Sequence, residues 1–217
     1  MRVSRNYLVL SVLLISLALV GSASANSVTL KYLGGTGSGI GGGAVYPYNF
    51  SINGSSTMTP LICDSYDNTI TKGETWTANA MPFLQGISTS LFGSSALLDY
   101  KAAGLIFKSV LSGTLSATNG QWAIWGLFST TAQSQSQFTT TGAAAIEAQY
   151  LALAANAPNS AFNGLILYTP IRGTQSGGGL PQEFIGYSPV PEPGSLTLLG
   201  TGLLGLAGAL RRKFAKS

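Results

Sequence analysis

The sequence YNFSINGSSTMTPLIC, residues 48–63, contains the strongest local signal for the fold. Asn53 and Gly54 both tolerate positive φ, and an Asn-Gly pair between apolar segments is typical of a tight β-hairpin turn. Residues 48–52 and 57–63, on either side of this pair, are therefore predicted to be two strands. This part of the chain is expected to be β-structure.

Hydrophobic spacing changes from the strand period to the helix period in the middle of the chain. Ala96, Tyr100, Ala103 and Phe107 recur at helical spacing, which predicts a helix over residues 94–111. Further helices are predicted at residues 119–128 and 141–155, and further strands at residues 28–33, 68–78, 163–169 and 183–187. This order of elements predicts an α+β domain that is β-rich and sandwich-like, with a cluster of two or three helices.

Residues 34–43 are rich in glycine, and Gly37, Gly39 and Gly42 fit the GxGxxG spacing of dinucleotide-binding loops. That function requires a helix to begin just after the glycines, so that its N-terminus meets the phosphates. Residues 44–50 are instead predicted to be extended. We therefore interpret the glycine-rich segment as a flexible loop without a nucleotide.

Both ends of the chain have the composition of targeting segments. Residues 1–25 combine a positive start, an apolar segment and a small-residue cleavage pattern at Ala23 and Ala25, which predicts a signal peptide. The alternative is a retained N-terminal membrane anchor. The exported domain is then expected to span residues 26–189.

Three features follow one another in the tail, residues 190–217: a polar breaker, an apolar segment and a basic end. They are Pro191-Glu192-Pro193, residues 196–210, and Arg211-Arg212-Lys213. The apolar segment has no charge and contains 15 residues, whereas a bilayer-spanning helix needs about 20. It can cross if flanking residues lie among the headgroups and the arginines snorkel. We predict a transmembrane helix with the basic end in the cytoplasm.

The tail resembles the PEP-CTERM sorting signal of exported bacterial proteins. This resemblance implies that an exosortase, a membrane enzyme, recognises the tail and cuts near Pro191-Glu192-Pro193. It also implies release or anchoring at the cell surface, often among exopolysaccharide. The expected partners are therefore the export machinery, the exosortase and the membrane. The alternative is an ordinary C-terminal anchor that is not processed.

Charge and residue usage exclude several classes of function. The whole chain has 11 Lys and Arg against 7 Asp and Glu, but residues 26–190 have five basic and six acidic residues, a net charge of −1. The basic excess lies in the targeting segments and gives no reason to expect nucleic-acid binding. The absence of histidine excludes Ser-His-Asp and Cys-His catalysis. We predict no cofactor and no metal, and we interpret the acidic residues Asp64 and Asp67 as part of a solvated loop.

Two short motifs, around Cys63 and Gln121, resemble the thioester domain of bacterial surface adhesins. In that family a cysteine pairs with the Gln of a Gln-x-Ala-x-Trp motif, and Gln121, Ala123 and Trp125 match its spacing. Cys63 is the only cysteine of the chain. The residue before it, Ile62, departs from the Tyr, Phe or Leu that the family favours.

The resemblance implies an internal thioester between Cys63 and Gln121, in a dry pocket formed by Trp122 and Trp125, that reacts with surface amines. The alternative is structural: Cys63 is a small buried hydrophobe, Gln121 is solvated, and the two tryptophans belong to the core. The sequence thus predicts a non-enzymatic component of the cell surface or extracellular matrix. A thioester adhesin is the alternative function, and a secreted polysaccharide hydrolase that uses acids alone is a third.

Overall fold

The computed structural model describes residues 26–38 and 44–188 of the chain. Its six strands are β1 (Asn26–Ser38), β2 (Ala44–Ile52), β3 (Thr59–Cys63), β4 (Thr75–Pro82), β5 (Leu165–Pro170) and β6 (Phe184–Tyr187). All neighbouring pairs are antiparallel, in the order β1–β2–β3–β6–β5–β4. The sheet is a closed barrel because β1 pairs with β2 on one side and with β4 on the other.

The α+β, β-rich fold class is confirmed, but the expected sandwich-like arrangement is wrong. A sandwich has two separate sheets with open edges. Here each strand has two neighbours, and the 13 residues of β1 are long enough to pair along both of its sides. A barrel of this size is filled by side chains.

The predicted hairpin turn is confirmed at Asn53 and Gly54. Their φ angles are 52° and 73°, and the Ser55 N–H donates to the Ile52 carbonyl at 3.0 Å. These are the positive φ values that favour Asn-Gly in such a turn. The turn connects β2 to the segment that leads into β3.

The flexible-loop interpretation of the glycines is wrong for residues 34–38, which belong to β1. Register shifts near Gly34 and Gly37 break the regular pairing with β2. A side chain at Gly37 would meet the backbone oxygens of Val45 and Tyr46, so glycine permits this close approach. The next described element, β2, is a strand, which agrees with the absence of a nucleotide-binding helix at this position. Gly39 and Gly42 lie outside the described residues.

All α-helices of the described part of the chain lie between β4 and β5. They are α1 (Phe83–Gly86), α2 (Leu97–Leu111), α3 (Ala117–Phe128), α4 (Thr130–Gln133), α5 (Ser136–Thr140) and α6 (Ala143–Asn156). The three predicted helices correspond to α2, α3 and α6. Helix α3 begins where the Ser116 side chain accepts a hydrogen bond from the Asn119 N–H at 3.2 Å, which is a standard N-terminal cap.

Aromatic side chains fill the barrel. The Phe184 ring lies 4.7 Å from Phe50, 5.5 Å from Tyr48 and 6.2 Å from Trp76, measured between ring centroids. On β1, the side chains of residues 28, 30 and 32 are buried and those of 27, 29 and 31 are exposed, as the strand period requires. Tyr48 and Trp76 therefore pack in the core of the barrel.

The predicted targeting segments, residues 1–25 and 190–217, lie outside the described residues. This includes the signal helix and the apolar segment 196–210. Within residues 26–38 and 44–188, no helix is both long enough and apolar enough to cross a membrane.

Candidate functional site

Cys63 and Gln121 are neighbours in the folded domain, although 58 positions separate them in the sequence. Cys63 ends β3, and Gln121 lies in the first half of α3. The Gln121 Nε2 group donates a hydrogen bond to the Cys63 carbonyl oxygen at 2.5 Å, and both residues are fully buried. The interpretation of Gln121 as a solvated residue is therefore wrong. The carboxamide oxygen of the same side chain, Gln121 Oε1, is buried without a hydrogen-bond partner.

The Cys63 side chain is a free, buried thiol. Its Sγ donates to the Ser65 carbonyl oxygen at 3.7 Å. Burial raises the pKa of this thiol to about 12, and the neighbouring Asp64 acts in the same direction. The Trp125 indole N–H and Ser65 oppose this shift, because both favour the thiolate. The thiol is therefore held in its protonated form, which is the poorer nucleophile.

The two predicted pocket residues, Trp122 and Trp125, lie beside this pair and are each 4% exposed. Their ring centroids are 5.0 Å apart, and Tyr66 packs on Trp125 at 5.1 Å and on Trp122 at 5.7 Å. Tyr66 was not singled out by the thioester resemblance. Its position three residues after Cys63 is the signal that could have indicated it. The three rings form an aromatic cluster, and the nearby Cys63 and Gln121 are fully buried.

A cleft of about 480 Å³ opens next to this aromatic cluster. Tyr32, Tyr48, Tyr66 and Trp125 supply its aromatic lining, and Asp67 is the acidic residue among its lining residues. The polar side of the cleft is formed by the loop that follows β3 and by Gln182.

Gln182 holds this loop in place. Its Nε2 group donates to the carbonyl oxygens of Ser65 at 3.3 Å and Asn68 at 2.7 Å. The Ser65 Oγ atom in turn accepts a hydrogen bond from the Glu183 N–H at 2.7 Å. The loop is thus fixed to β6, and the Cys63 thiol keeps its contact with Ser65.

Two buried carboxyl groups, Asp64 and Glu183, were missed by sequence reasoning, which placed Asp64 in a solvated loop. Both residues are fully buried. Glu183 accepts hydrogen bonds from the Tyr100 hydroxyl, from the Thr169 hydroxyl at 2.6 Å and from the Leu91 N–H at 3.1 Å. Three donors are unusual for one side chain and stabilise its ionised form.

The two carboxyl groups influence each other's ionisation. Burial, followed by the neighbouring Glu183, raises the pKa of Asp64 well above its usual range. Burial also raises the pKa of Glu183, while its hydrogen-bond donors oppose the shift. The protonated form is therefore favoured more at Asp64, which has no hydrogen-bond donor, than at Glu183, whose donors stabilise the ionised form. Neither carboxyl reaches solvent, and Glu183, which directly precedes β6, connects this strand to β5 and α2 through Thr169 and Tyr100.

The described residues contain no group of three or more His, Cys, Asp or Glu side chains placed to hold a metal ion. Asp67, the second acid of the loop after β3, is exposed at the rim of the cleft. The site is therefore composed of a thiol, a carboxamide, aromatic rings and one exposed carboxylate.

Comparison with known proteins identifies one feature of the chain. Residues 189–213 match the PEP-CTERM protein-sorting motif, and this range contains Pro191, Glu192, Pro193 and Arg211-Arg212-Lys213. The motif supports an exported protein that an exosortase processes. No curated protein and no solved structure matches the chain.

Proposed function

We propose that the chain is an exported surface protein whose domain forms an internal thioester between Cys63 and Gln121 and captures amines covalently. The proposal is carried by one observation: the Gln121 carboxamide lies within hydrogen-bond distance of Cys63, 2.5 Å from its carbonyl oxygen, in a fully buried environment. A buried carboxamide that contacts the backbone of the only cysteine of the chain supports such a bond, because the reaction depends on the proximity of the two residues.

Formation of the thioester from Cys63 and Gln121 needs no other reactant. The Cys63 sulfur attacks the Gln121 Cδ atom, the C–N bond breaks, and ammonia leaves with the thiol proton. The nitrogen of an incoming amine then attacks the same carbon, the C–S bond breaks, and the thiol recovers a proton from the amine. The product is a stable amide between Gln121 and the partner, so each molecule reacts once.

Exclusion of water is the main requirement for such a bond, because water hydrolyses an activated acyl group. Trp122, Trp125 and Tyr66 pack against one another, and Cys63 and Gln121 are both fully buried. The Trp125 indole N–H is buried without a hydrogen-bond acceptor of ordinary geometry and favours the Cys63 thiolate. This donor would stabilise the sulfur each time it leaves or attacks.

The second candidate is a sorted surface or matrix component without covalent chemistry. The burial and raised pKa of the Cys63 thiol favour it, because a protonated thiol is a poor nucleophile. Neither candidate is an enzyme that turns over substrate. A polysaccharide hydrolase has little support, because Asp64 and Glu183 are buried away from any substrate.

The two candidates differ in the mass of the folded domain. We expect residues 26–190, purified quickly at mildly acidic pH, to be lighter than the plain chain by one ammonia. Methylamine should replace the lost mass, and Cys63→Ala and Gln121→Ala should each abolish the deficit. Gln133→Ala, in α4, is the control and should keep it. Intact-protein mass spectrometry measures the deficit. If the domain has the mass of the unmodified chain and Cys63 reacts as a free thiol, only the non-covalent candidate remains.

The sorting motif predicts a separate outcome for the tail. Replacing Pro191 and Pro193 with alanine should leave the tail attached in cells that contain an exosortase, whereas the unchanged chain should lose it. Ser195→Ala is the matched control. A marker epitope is placed between the domain and the motif. An immunoblot against it distinguishes the cut chain from the uncut chain by apparent molecular mass. An uncut tail in the unchanged chain would contradict processing.

A further inference from the structure

We infer that the side of the domain from which the tail emerges is a membrane-contacting surface that binds anionic lipid headgroups while the tail is still attached. This surface, which we call the exit face, consists of Leu98, Lys101, Leu105, Lys108, Leu111 and Tyr187. The inference is independent of the proposed thioester. It rests on the predicted tail anchor, which brings this side of the domain to the bilayer.

The chain leaves the domain beside the C-terminal end of α2. Tyr187 is the last residue of β6, and the N–H of the next residue, Ser188, donates to the Gly164 carbonyl at 2.8 Å. Tyr187 also lines a depression of about 460 Å³ together with Lys108 and Leu111 of α2. The starting point of the tail is therefore fixed next to this helix.

One side of α2 faces outward along its length. Leu98, Lys101, Leu105 and Lys108 are spaced by three, four and three residues, which places them on the same side of a helix. None of the four is buried. Asp99 is the one acidic residue of α2, and it lies on the other side from Lys101 because two residues turn a helix by about 200°. The outward side therefore presents leucines and lysines without an acid.

The two lysines give the exit face a positive charge. They are two of the five basic residues in residues 26–190, whose net charge is −1. The Lys101 Nζ atom lies 5.7 Å from the centroid of the Phe162 ring, so its stem follows the surface of the domain. Burial lowers the pKa of Lys108, and its ammonium group therefore gains from an anionic partner such as a lipid phosphate.

The exit face also carries exposed apolar side chains. Leu98 is 43% exposed, Leu111 38% and Tyr187 44%, which makes three of the six large apolar side chains that are exposed in the described part of the chain. Leucine side chains beside lysines suit the boundary between headgroups and acyl chains. Tyrosine is enriched at the same depth of a membrane because its ring is apolar and its hydroxyl is polar.

The length of the tail determines which side of the domain can meet the bilayer. Residues 189–195 separate Ser188 from the predicted membrane segment, which begins at Leu196. The eight Cα–Cα steps from Ser188 to Leu196 span at most about 29 Å, whereas a domain of this size is roughly 40 Å across. The side opposite the exit face therefore stays out of reach, and the exit face is held close to the headgroups.

Such a contact is weak without the anchor. A lysine near an anionic membrane surface contributes about 1 kcal/mol, or about fivefold in binding, and stable attachment to a membrane takes more than one such signal. The exit face thus orients the domain while the tail is attached. After the tail is cut, two lysines and a few apolar side chains are too little to retain it.

The test measures how close single positions are to lipid in the full chain. A fluorophore is attached to Leu98→Cys, to Leu111→Cys or to Thr71→Cys, and the chain is reconstituted in vesicles of phosphatidylglycerol and phosphatidylcholine that contain a spin-labelled lipid. The native Cys63 is fully buried and is not labelled in the folded domain. We expect the lipid to quench the probes at positions 98 and 111 and to leave the probe at position 71 unchanged.

Position 71 is the control because it lies at the other end of the barrel. Tyr187 pairs with Leu165 at the start of β5, whereas Ala78 pairs with Pro170 at its end. Residue 71 is in the loop that leads to Thr75, the first residue of β4 and thus beyond this far end.

Charge variants test the role of the headgroups. Lys101→Gln and Lys108→Gln should each lower the ratio of docked to undocked domain about fivefold, and high salt or vesicles of phosphatidylcholine alone should also lower it. Lys31→Gln combined with Lys72→Gln is the matched control. Lys31 pairs with Thr75, and Lys72 is in the loop before β4, so both lie at the far end of the barrel.

Each outcome decides between the exit face and its alternatives. Equal quenching at positions 71, 98 and 111, or quenching that is unchanged by lipid charge and by both lysine variants, would overturn the membrane surface. Probes at 98 and 111 that are shielded from aqueous iodide but not quenched by lipid would show that the tail or a second copy covers this face instead. A chain that does not float with the vesicles would contradict the predicted anchor and the membrane surface together.

Discussion

Replacing Glu183 with alanine is expected to lower the free energy of unfolding by about 3–5 kcal/mol, because buried donors lose their acceptor. The Tyr100 hydroxyl, the Thr169 hydroxyl and the Leu91 N–H all donate to this carboxylate. Each unsatisfied buried group costs about 1–3 kcal/mol. Urea unfolding at neutral pH measures the change. Glu74→Ala is the control, since Glu74 accepts two hydrogen bonds but is only half-buried.

The pH dependence of the unfolding free energy distinguishes the ionisation of the buried pair, Asp64 and Glu183, from a simple loss of packing. The folded-state pKa values of Asp64 and Glu183 are raised, so the folded domain holds a proton that the unfolded chain releases. The stabilisation is complete below the unfolded pKa, near 4, and is lost as the pH rises through the folded pKa. Unfolding free energy should therefore decline from about pH 4 towards neutrality.

Asp64→Asn should flatten this decline, because it removes the titrating partner and keeps the shape of the side chain. Glu147, whose pKa is raised to about 7 by burial and by Asp99, is present in both proteins. The difference between the two pH profiles therefore reports on the buried pair alone. A profile unchanged by Asp64→Asn would show that the pair does not share a proton in the folded domain.

Replacing Gly120 with valine is expected to cost about 3 kcal/mol of stability and to abolish the ammonia deficit. Gly120 lies in α3, and a side chain there would collide with Val110 of α2 and come within 3.4 Å of Leu115 and Ile106. These are branched side chains in a packed interface, so α3 must move away from α2. Gln121 is the next residue and moves with the helix, away from Cys63.

Thermal unfolding and intact mass measure the two effects of Gly120→Val. Helix propensity alone predicts a gain in stability of about 1 kcal/mol when an interior glycine becomes alanine. The sign of the stability change in Gly120→Ala therefore distinguishes helix propensity from steric contact. A loss for Gly120→Ala indicates the steric contact. Ala144→Val, at an exposed position of α6, is the control for adding a branched side chain to a helix. An intact thioester in a folded Gly120→Val domain would contradict the predicted displacement.

Local features of the fold could be predicted from the sequence, whereas its closure could not. The Asn53-Gly54 turn and the three longer helices follow from short-range chemistry and spacing, and all are present. The pairing of β1 with β4, and of β3 with β6, joins segments that no short pattern connects. By composition, the glycines of β1 predict a loop. The irregular pairing that requires them exists only when β1 is paired with β2, so the sequence of β1 alone does not indicate it.

The candidate site shows the same division. The resemblance carried by Gln121, Ala123 and Trp125 paired Gln121 with Cys63, and the two residues are neighbours in the fold, while a bond between their side chains stays a prediction. Asp64 was placed in a solvated loop because a charged residue next to polar neighbours is usually exposed. Asp64 is buried beside Glu183, which comes from the opposite end of the domain sequence. The proximity of such distant residues leaves no local pattern.

The strand order also determines when the site can assemble. Strand β6 lies between β3 and β5, and it is the last strand of the described chain. In a chain that emerges from its N-terminus, the barrel stays open until residue 187 has appeared, since long-range pairing waits for both strands. Before that moment β3 lacks one neighbour, and the end of the strand that bears Cys63 is unpaired on that side. Burial of the thiol is thus one of the last events of folding, and it coincides with the arrival of the sorting motif that begins at residue 189.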